Sequence, residues 1–343
     1  MKKVDYLIVG GGYAAYFFAH RLIRDGKSFL LFDPGLDSAS RISAGIVNPV
    51  VLKKFTTFWL AMEQIDSLRS SLDEMKQYLN KELWIGEPVL RIFHDDNERN
   101  LWLKKCTQTG LSDFLSDKIQ YPQSVINPFG CGVVKHSGRL SVLDFFKNFS
   151  DYLRKTKNLV EKQFMYDFFD VENSVYNGIS FNNIVFCEGI AVKDNPWFKN
   201  IPVNPNKGHQ LTVDLPGFNS QHTLKKKHFL FPLSNDSYYY GGTYDRHSQD
   251  AGIDDAAVLE LEKGLQEITS SQYTVSEINV GFRPTVADRR PIIGKHPDHD
   301  NLYVFNGLGA RGILNGNFFA EELYRHIEYG EPLRPEVDVR RFL

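Results

Sequence analysis

Cysteine is scarce in this sequence, which has three cysteines among 343 residues. They are Cys106, Cys131 and Cys187, and no two of them stand at the Cys-x-x-Cys spacing of a metal or redox motif. An odd and sparse count excludes the disulfide framework of a small secreted domain. Long apolar runs are also missing, because no stretch reaches the roughly 18 residues that indicate a transmembrane helix. These absences predict a protein of a reducing compartment, most simply the cytoplasm, that does not cross a membrane.

An excess of charge of one sign is missing as well. The 40 lysines and arginines nearly balance the 42 aspartates and glutamates, so the net charge is -2 and does not indicate a general nucleic-acid binder. Short basic clusters occur at residues 53–54, 104–105 and 225–227. We interpret them as solvated surface, although clusters that converged on one site could receive RNA phosphates. No metal is expected, because the acids, histidines and cysteines lack the spacing of metal ligands.

The N-terminal segment has the pattern of a dinucleotide site. Residues 4–9 (VDYLIV) predict a buried parallel strand, GGGYAA opens a helix with apolar residues at helical spacing, and SFLLF predicts a second strand. Gly10 permits the tight turn, Gly12 lets the backbone approach a pyrophosphate, and Ala15 fills the third small position. Asp33 lies 23 residues after Gly10, where a carboxylate can accept hydrogen bonds from a ribose. This pattern does not by itself choose between NAD and FAD.

Four later stretches point to a flavin. Residues 38–55 (SASRISAGIVNPVVLKKF) are small and polar where a nicotinamide dehydrogenase would continue with another helix and strand. The others are NNIVFCEGI (182–190), GFRPTVADRRPIIG (281–294) and GLGARGILNG (307–316). With these motifs in this order, the chain resembles the D-amino-acid-oxidase-like superfamily of FAD-dependent oxidoreductases. Within it, the chain is most similar to the glycine oxidases and to the FAD domain of the bifunctional tRNA 5-methylaminomethyl-uridine modification enzymes.

The resemblance implies an α/β fold, α+β overall, with a discontinuous Rossmann-like FAD-binding domain. We predict that domain from residues 1–55, 139–200 and 283–343. A substrate domain built on a mixed or antiparallel β-sheet would be inserted as residues 56–138 and 201–282. From the sequence pattern, we predict strands at 161–171, 209–215, 228–233 and 237–245, and helices at 141–155 and 254–269. The first of these helices would bury Leu143, Phe146, Phe149 and Leu153.

The resemblance also implies a non-covalent FAD. Members of the superfamily with covalent flavin attach it to a cysteine or histidine near the ring, and no cysteine follows Cys187. The glycine turn at 307–316 would open a final helix whose N-terminus stabilises the negative charge of reduced flavin. The expected cofactor-binding residues are Gly10, Gly12, Tyr13, Ala14, Ala15, Asp33, Pro34, Arg41, Ser43, Ala44, Gly45, Phe164, Met165, Glu188, Gly189, Gly307, Gly309, Ala310, Gly312 and Ile313.

Arg283 and Arg311 are the expected catalytic arginines, because a planar guanidinium can hold a carboxylate through two hydrogen bonds. Relatives place a tyrosine where this chain has Phe229, so we expect Tyr240 or Tyr244 to supply the missing hydroxyl. We interpret Asp288 and His209 as structural, and Arg289 and Arg290 as solvated.

The implied activity is oxidation of the C–N bond of a carboxylate-bearing amine, such as a small or N-substituted amino acid. Hydride would pass to flavin N5, the imine would hydrolyse, and O2 would reoxidise the flavin to give H2O2. Three alternatives stay open: a stand-alone tRNA wobble-uridine modification oxidase, a 2-hydroxy-acid oxidase or dehydrogenase, and a flavin-binding protein without turnover. The sequence does not indicate an oligomeric state.

Overall fold

Two eight-stranded sheets organise the computed structural model, which describes residues 2–36, 38–234 and 236–342. The helices are α1 (Tyr13–Arg24), α2 (Ala61–Leu79), α3 (Asp96–Cys106), α4 (Val142–Lys155), α5 (Asp255–Gln266) and α6 (Gly312–Tyr329). The strands are β1 (Lys2–Val9), β2 (Phe29–Phe32), β3 (Ile46–Val47), β4 (Val50–Val51), β5 (Thr56–Thr57), β6 (Trp84–Ile85), β7 (Val89–Ile92), β8 (Leu115–Gln120), β9 (Cys131–Val134), β10 (Gly138–Leu140), β11 (Leu159–Val160), β12 (Phe169–Asp170), β13 (Val175–Tyr176), β14 (Ile179–Phe186), β15 (Asn204–Asp214), β16 (Thr223–Lys225), β17 (Phe229–Ser234), β18 (Ser237–Gly241), β19 (Thr274–Thr285), β20 (Ile292–Lys295) and β21 (Leu302–Asn306).

The first sheet, sheet I, has five parallel strands in the order β11-β2-β1-β14-β21. β12, β13 and β20 extend it with antiparallel pairs. The central strands are apolar on both faces because each face is covered, as is usual for parallel sheets. The carboxyl ends of β1, β2, β14 and β21 meet at one edge, where the strand order reverses and doubly wound sheets bind nucleotides.

Helices α1 and α6 pack together on one face of sheet I. Residues 13–22 of α1 are all buried, so only the C-terminal end of this helix reaches solvent. Its apolar sequence, YAAYFFAHRL, matches that position. Gly316 permits close approach of the two helices, because a Cβ there would lie 3.2 Å from both Tyr13 and Phe17. Both helices begin at the edge where the parallel strands end.

The second sheet, sheet II, has the strand order β19-β15-β18-β17-β16-β7-β9-β8. One face is a core in which Leu211, Leu230 and Tyr240 pack against Leu261 and Leu265 of α5. Because side chains alternate along a strand, the neighbouring residues point to the other face. That opposite face, here called the open face, looks toward the segment 38–55, since a Cβ at Gly281 of β19 would lie 2.4 Å from Ile42.

Most of the predicted elements are present. α4 buries Phe146, Phe149 and Leu153 as expected, but Leu143 is 79 % exposed and Phe145 takes its place in the core. The prediction of a single strand at 161–171 is wrong. There the chain forms a 3-10 turn, Tyr166–Phe168, and the two-residue strand β12, because Phe164 turns inward to stack on Tyr176 at 4.1 Å.

The predicted fold class, a mixed α/β chain, is confirmed. The domain limits stay a prediction, and their outermost residues, 1 and 343, lie outside the described residues. Strand β19 runs across the predicted limit at residue 283, so Arg283 belongs to sheet II. Within the described part of the chain, no helix combines the length and the apolar character that a membrane span needs.

Candidate functional site

The glycine turn after β1 leaves no room for side chains. Gly10 has φ +130°, and a Cβ there would lie 2.3 Å from the carbonyl oxygen of Cys187. A Cβ at Gly11 would lie 2.1 Å from a carboxylate oxygen of Asp33. α1 then begins after Gly12, which has no side chain to cap the helix, and the first turn contains no acidic residue. A helix N-terminus of this kind attracts anionic groups through its free N–H groups and its dipole.

Asp33 lies buried at the end of β2, next to the glycine turn. Its carboxylate accepts hydrogen bonds from the hydroxyl of Tyr16 at 2.9 Å and from the backbone N–H of Gly35 at 2.9 Å. Arg41 forms an ion pair with it and places its guanidinium 4.7 Å from the ring centroid of Phe146. The structure therefore brings two predicted residues, Asp33 and Arg41, together.

The segment 38–55 is tied to both the glycine turn and β10. The hydroxyl of Ser40 accepts a hydrogen bond from the backbone N–H of Tyr13 at 3.2 Å, and the hydroxyl of Ser43 lies 2.7 Å from that of Tyr13. Gly45 has φ +69°, and a Cβ there would lie 2.2 Å from the carbonyl oxygen of Leu140. Of the predicted residues, Ala44 belongs to this segment, whereas Pro34 directly follows Asp33 after β2.

A polar corner follows β14. The Glu188 carboxyl accepts hydrogen bonds from the Tyr166 hydroxyl and from Nδ2 of Asn195, the latter at 2.7 Å. Burial raises the pKa of Glu188 to about 7. Asn306, at the end of β21, donates to the carbonyl of Gly189 at 2.8 Å. The ends of two parallel strands are thereby fixed to each other.

Phe164 and Met165 lie near this corner with different exposures. Phe164 is buried between Phe32 and Tyr176, whereas Met165 is 47 % exposed. The backbone N–H of Met165 donates to the hydroxyl of Tyr176 at 3.2 Å. Their contact with an adenine stays a prediction.

The N-terminus of α6 lies against α1. Gly307 has φ +70° and Gly309 φ +60°, and the 3-10 turn Gly309–Arg311 leads into the helix at Gly312. A Cβ at Gly312 would lie 3.0 Å from the ring of Tyr13. The first turn of α6 has no acidic residue and no side-chain cap, so its positive end is not compensated by side chains of that turn. Of the predicted residues, Ala310 lies in the turn and Ile313 is buried in the first turn of the helix.

Arg283 extends from β19 on the open face of sheet II. Its guanidinium carbon lies 4.3 Å from the ring centroid of Tyr244, and Nη1 donates to the carbonyl of Thr243 at 3.0 Å. Glycines make room for it, since a Cβ at Gly208 would lie 2.4 Å from Nη1 and one at Gly242 would lie 3.0 Å from Nη2. No carboxylate of the described residues pairs with Arg283.

Arg311 approaches the same place from the turn before α6. Its guanidinium carbon lies 4.3 Å from the ring centroid of Phe58. Burial and the nearby positive charges of Arg289 and Arg290 lower its pKa, while Tyr244 acts in the opposite direction. Among residues 2–36, 38–234 and 236–342, no acid pairs with Arg311. Tyr244 contacts Arg283 and acts electrostatically on Arg311, so the structure places both predicted arginines near this tyrosine. Their role in catalysis stays a prediction.

Three neighbouring residues have partners of their own. Asp288 pairs with Arg341 at 3.2 Å, in agreement with a structural role. Arg290 is not simply solvated, because its guanidinium lies 4.4 Å from the ring centroid of Trp59. His209 is buried, and its Nε2 accepts from the backbone N–H of Asp254 at 3.0 Å, which also indicates a structural residue.

Tyr240 is not part of this arrangement. It is fully buried on the core face of sheet II, and its ring centroid lies 5.7 Å from that of His228. Tyr239 points to the open face instead and stacks on Phe231 at 4.6 Å with an interplanar angle of 9°. A Cβ at Gly242 would lie 3.8 Å from the hydroxyl of Tyr239, beside the guanidinium of Arg283. Side chains alternate between the two faces of a strand, so the run of tyrosines at 238–240 predicts that neighbouring tyrosines face opposite sides. Only the pairing of the strands shows which of them faces the core.

Two cations on the open face were missed by sequence reasoning. Arg139, in β10, is buried and lies with its guanidinium carbon 4.0 Å from the ring centroid of Phe231. Lys225, expected to be a solvated surface residue, is half-buried with its Nζ 4.3 Å from the ring centroid of Phe229. Burial, with Arg91 nearby, lowers the pKa of Lys225 to about 7. No local pattern distinguishes either residue from an ordinary surface cation.

Comparison with known proteins identifies the family. The sequence model of the family of FAD dependent oxidoreductases (DAO) matches residues 5–325, so the chain belongs to that family. Relatives with curated descriptions match shorter stretches. An uncharacterized oxidoreductase, YurR, of Bacillus subtilis is 34% identical over 104 residues, 28% of this chain and 27% of that protein. A tRNA 5-methylaminomethyl-2-thiouridine biosynthesis bifunctional protein, MnmC, of Azoarcus is 26% identical over 176 residues, 45% of this chain and 28% of that protein. The matches thus span little more than a quarter of these relatives.

Solved structures resemble the whole chain at low identity. Glycine oxidase from Geobacillus kaustophilus superposes with a TM-score of 0.80 at 17% identity, covering 97% of this chain and 96% of that one. Iminodiacetate oxidase from Chelativorans gives a TM-score of 0.75 at 17% identity and covers 98% of both chains. These likenesses establish a shared fold. Within the described ranges, no group of three or more potential metal ligands is present.

Proposed function

We propose that this member of the FAD-dependent oxidoreductase family oxidises the C–N bond of an amine that bears a carboxylate, such as a small or N-substituted amino acid. The observation that carries the proposal is the pair Arg283 and Arg311, which converge beside Tyr244 without a carboxylate partner among the described residues. Removing a cation from water is costly unless an anion compensates it. A bound carboxylate would provide that compensation.

The residues at the edge of sheet I fit a non-covalent FAD. Cβ atoms at Gly10 and Gly11 would occupy the space beside the glycine turn, and the N-terminus of α1, which has no acidic residue in its first turn, suits a pyrophosphate. Asp33 lies where a ribose hydroxyl would donate to it. When bound, FAD supplies the acceptor for the hydride of the amine.

On the open face, the chain would bind and orient the substrate. Arg283 and Arg311 would hold the carboxylate, because their guanidinium groups present several N–H donors in a fixed plane. The Tyr239 hydroxyl, beside Arg283, would replace the hydroxyl that relatives carry at the position of Phe229. Stacking on Phe231 holds its ring in place. The aromatic residues of this face would exclude water from the reacting carbon.

The remaining parts of the proposal concern the product and the location. We propose that the imine hydrolyses in water and that O2 is the final acceptor, giving H2O2. A cytoplasmic location is proposed from the sparse, unpaired cysteines.

An anaerobic titration of the purified yellow protein tests the proposal. Primary and N-substituted amino acids, matched amines without a carboxylate, and 2-hydroxy acids are added in turn while the flavin absorbance is recorded. We expect bleaching by carboxylated amines only. Bleaching only by 2-hydroxy acids would show that the substrate is a 2-hydroxy acid and not an amine. Flavin that no compound reduces would indicate a protein that binds FAD without turnover.

A tRNA wobble uridine is the second candidate substrate. The observation that favours it is the positive charge of Arg289 and Arg290 around Arg311, together with the likeness to MnmC. A gel-shift assay with tRNA at low and high salt distinguishes the two candidates, since phosphate contacts weaken steeply with salt. Salt-sensitive binding of tRNA, with no reaction of free amino acids, would favour the RNA substrate.

A further inference from the structure

Arg139 is a buried cation that has no part in the proposed binding of a carboxylate by Arg283 and Arg311. Its side chain is 7 % exposed, and it lies in β10, paired with Ile46 of the segment 38–55. Only its Nε has a partner, donating to the hydroxyl of Thr223 at 3.1 Å. The two terminal nitrogens donate to no described residue, yet neither is sealed from solvent.

No acid of the described residues forms an ion pair with Arg139. The carboxylate with an electrostatic influence on it, Glu87, pairs with His222 at 2.7 Å. Burial lowers the pKa of Arg139 to about 10, but the side chain stays charged at neutral pH. A guanidinium in such surroundings is unfavourable unless a ligand binds it. Arg139 therefore resembles Arg311, whose pKa is also lowered by burial.

Arg139 and Arg283 lie at two ends of one row of side chains on the open face. The guanidinium of Arg139 covers one end of the row, 4.0 Å from the ring centroid of Phe231. Phe231 stacks on Tyr239, whose hydroxyl lies beside the guanidinium of Arg283. An elongated molecule lying along these two rings would meet one cation at each end.

We propose that the substrate is an amine with two carboxylates, one held by Arg283 and Arg311 and the second by the terminal nitrogens of Arg139. This inference rests on the proposed function and narrows its substrate class. The planar fork of an arginine matches a carboxylate through two hydrogen bonds. The hydrogen bond from Nε to Thr223 restrains the guanidinium and leaves the terminal nitrogens for the carboxylate.

Binding of inert acids tests the second site without turnover. The FAD-loaded protein is titrated with dicarboxylates from succinate to suberate, each beside the monocarboxylate of equal carbon number, and the flavin spectrum reports binding. We expect at least one dicarboxylate to bind about 10-fold more tightly than its partner. Arg139→Gln should abolish that preference and leave monocarboxylate affinity and FAD content unchanged.

Two further variants serve as controls. Arg154→Gln removes an exposed arginine of α4 and should leave the preference intact. Thr223→Val keeps the charge of Arg139 but removes its hydrogen-bond partner, so it should weaken the preference if Arg139→Gln proves too unstable. Equal affinities for both acid classes in the parent protein, or an unchanged preference in Arg139→Gln, would overturn the proposal. Loss of FAD in Arg139→Gln but not in Arg154→Gln would show that Arg139 serves the cofactor instead.

Anaerobic reduction by amines separates this inference from the proposed function. With iminodiacetate or glutamate, kcat/KM should fall about 10-fold or more in Arg139→Gln, while that with N-methylglycine stays the same. Reduction by monocarboxylate amines alone would sink the second site and leave the proposed function standing. A dicarboxylate preference in the binding assay without reduction by any amine would support the second anion site but contradict the proposed oxidation of an amine.

Discussion

The edge of sheet I and the open face of sheet II differ in what carries their chemistry. At the edge, the turn at Gly10 and Gly11 and the helix N-termini present backbone groups, and the polar side chain of Asp33 has its partners. On the open face, Arg283, Arg311 and Arg139 have no carboxylate partner among the described residues. The acid of the first region is paired with neighbouring side chains, whereas the arginines of the second region have no acid paired with them.

This difference separates two tasks. Backbone groups at the end of a parallel sheet bind a phosphate-bearing cofactor whatever the substrate is. In the proposed function, side chains on the open face choose the substrate, because each unpaired cation favours an anion placed against it. Variants at the edge of sheet I should therefore change FAD binding, and variants on the open face should change the kinetics with the amine but leave FAD binding unchanged.

The largest expected effect comes from the substrate region. Arg283→Gln should lower kcat/KM for a carboxylated amine by about 100- to 1,000-fold, because a charged hydrogen-bonding partner of the carboxylate is lost. FAD content should stay at the parent level. Steady-state kinetics and the flavin spectrum of the purified variant measure the two quantities.

Gly208→Ala tests the same arginine from its other side. A Cβ at this position would lie 2.4 Å from Nη1 of Arg283, so the guanidinium must move. We expect kcat/KM to fall with FAD retained, as in Arg283→Gln. Parent-like kinetics in both variants would remove Arg283 from the carboxylate site.

The next largest effect is a loss of FAD affinity caused by a change at the glycine turn. In Gly11→Ala the new Cβ would lie 2.1 Å from an oxygen of buried Asp33, and we expect FAD affinity to fall about 100-fold. Fluorescence titration of the apoprotein with FAD measures this. Gly86→Ala is the matched control, because its Cβ would come no closer than 3.4 Å to a neighbouring atom. Equal FAD affinities in the two variants would contradict the proposed cofactor site.

A smaller effect distinguishes the two faces of sheet II. Tyr239→Phe should raise KM for the amine about 10-fold, because one hydrogen bond to a charged group is lost. Tyr240→Phe should leave the kinetics unchanged. It should also stabilise the fold by about 1 kcal/mol, since the Tyr240 hydroxyl is buried without a described partner. Urea unfolding and steady-state kinetics of both variants provide the comparison, and a reversed pattern would reassign the hydroxyl to Tyr240.

The last prediction concerns the polar corner of sheet I and the stability of the fold. Glu188 has a pKa raised by burial to about 7, so its protonated form is favoured in the folded state. Its contribution to stability is therefore complete below about pH 4.5 and is lost as the pH rises through 7. Compared with Glu188→Gln, the parent should lose at most about 3 kcal/mol of unfolding free energy over this interval. Urea midpoints measured across that range check the difference, and parallel curves would exclude the raised pKa.

Much of sheet I and its edge could be predicted from the sequence. Buried parallel strands are continuous apolar runs, and a glycine turn followed by a helix has a fixed spacing, so VDYLIV, GGGYAA and Asp33 define their region locally. Arg283 and Arg311 could also be named, because the motifs around them resemble those of a known family.

The open face of sheet II was less predictable. Tyr239 and Tyr240 are identical and adjacent, and a change of one residue in strand register exchanges their faces. The segment around Phe164 is rich in residues that favour strands, but Phe164 turns inward and stacks on Tyr176. Packing against another strand therefore overrides the local preference for an extended strand.

By itself, the sequence determined the edge of sheet I with its glycine turn and Asp33. The small residues of the turn and the apolar residues of the buried strands follow one another along the chain, so local patterns predict them. Only the tertiary structure decided which side chains share the open face. Phe231 and Tyr239 face each other across the consecutive strands β17 and β18, whereas Arg139 is far from both in sequence and meets Phe231 only because β10 packs against sheet II. Burial of Arg139 without an acid depends on that meeting, and burial is what converts an ordinary arginine into a candidate anion site.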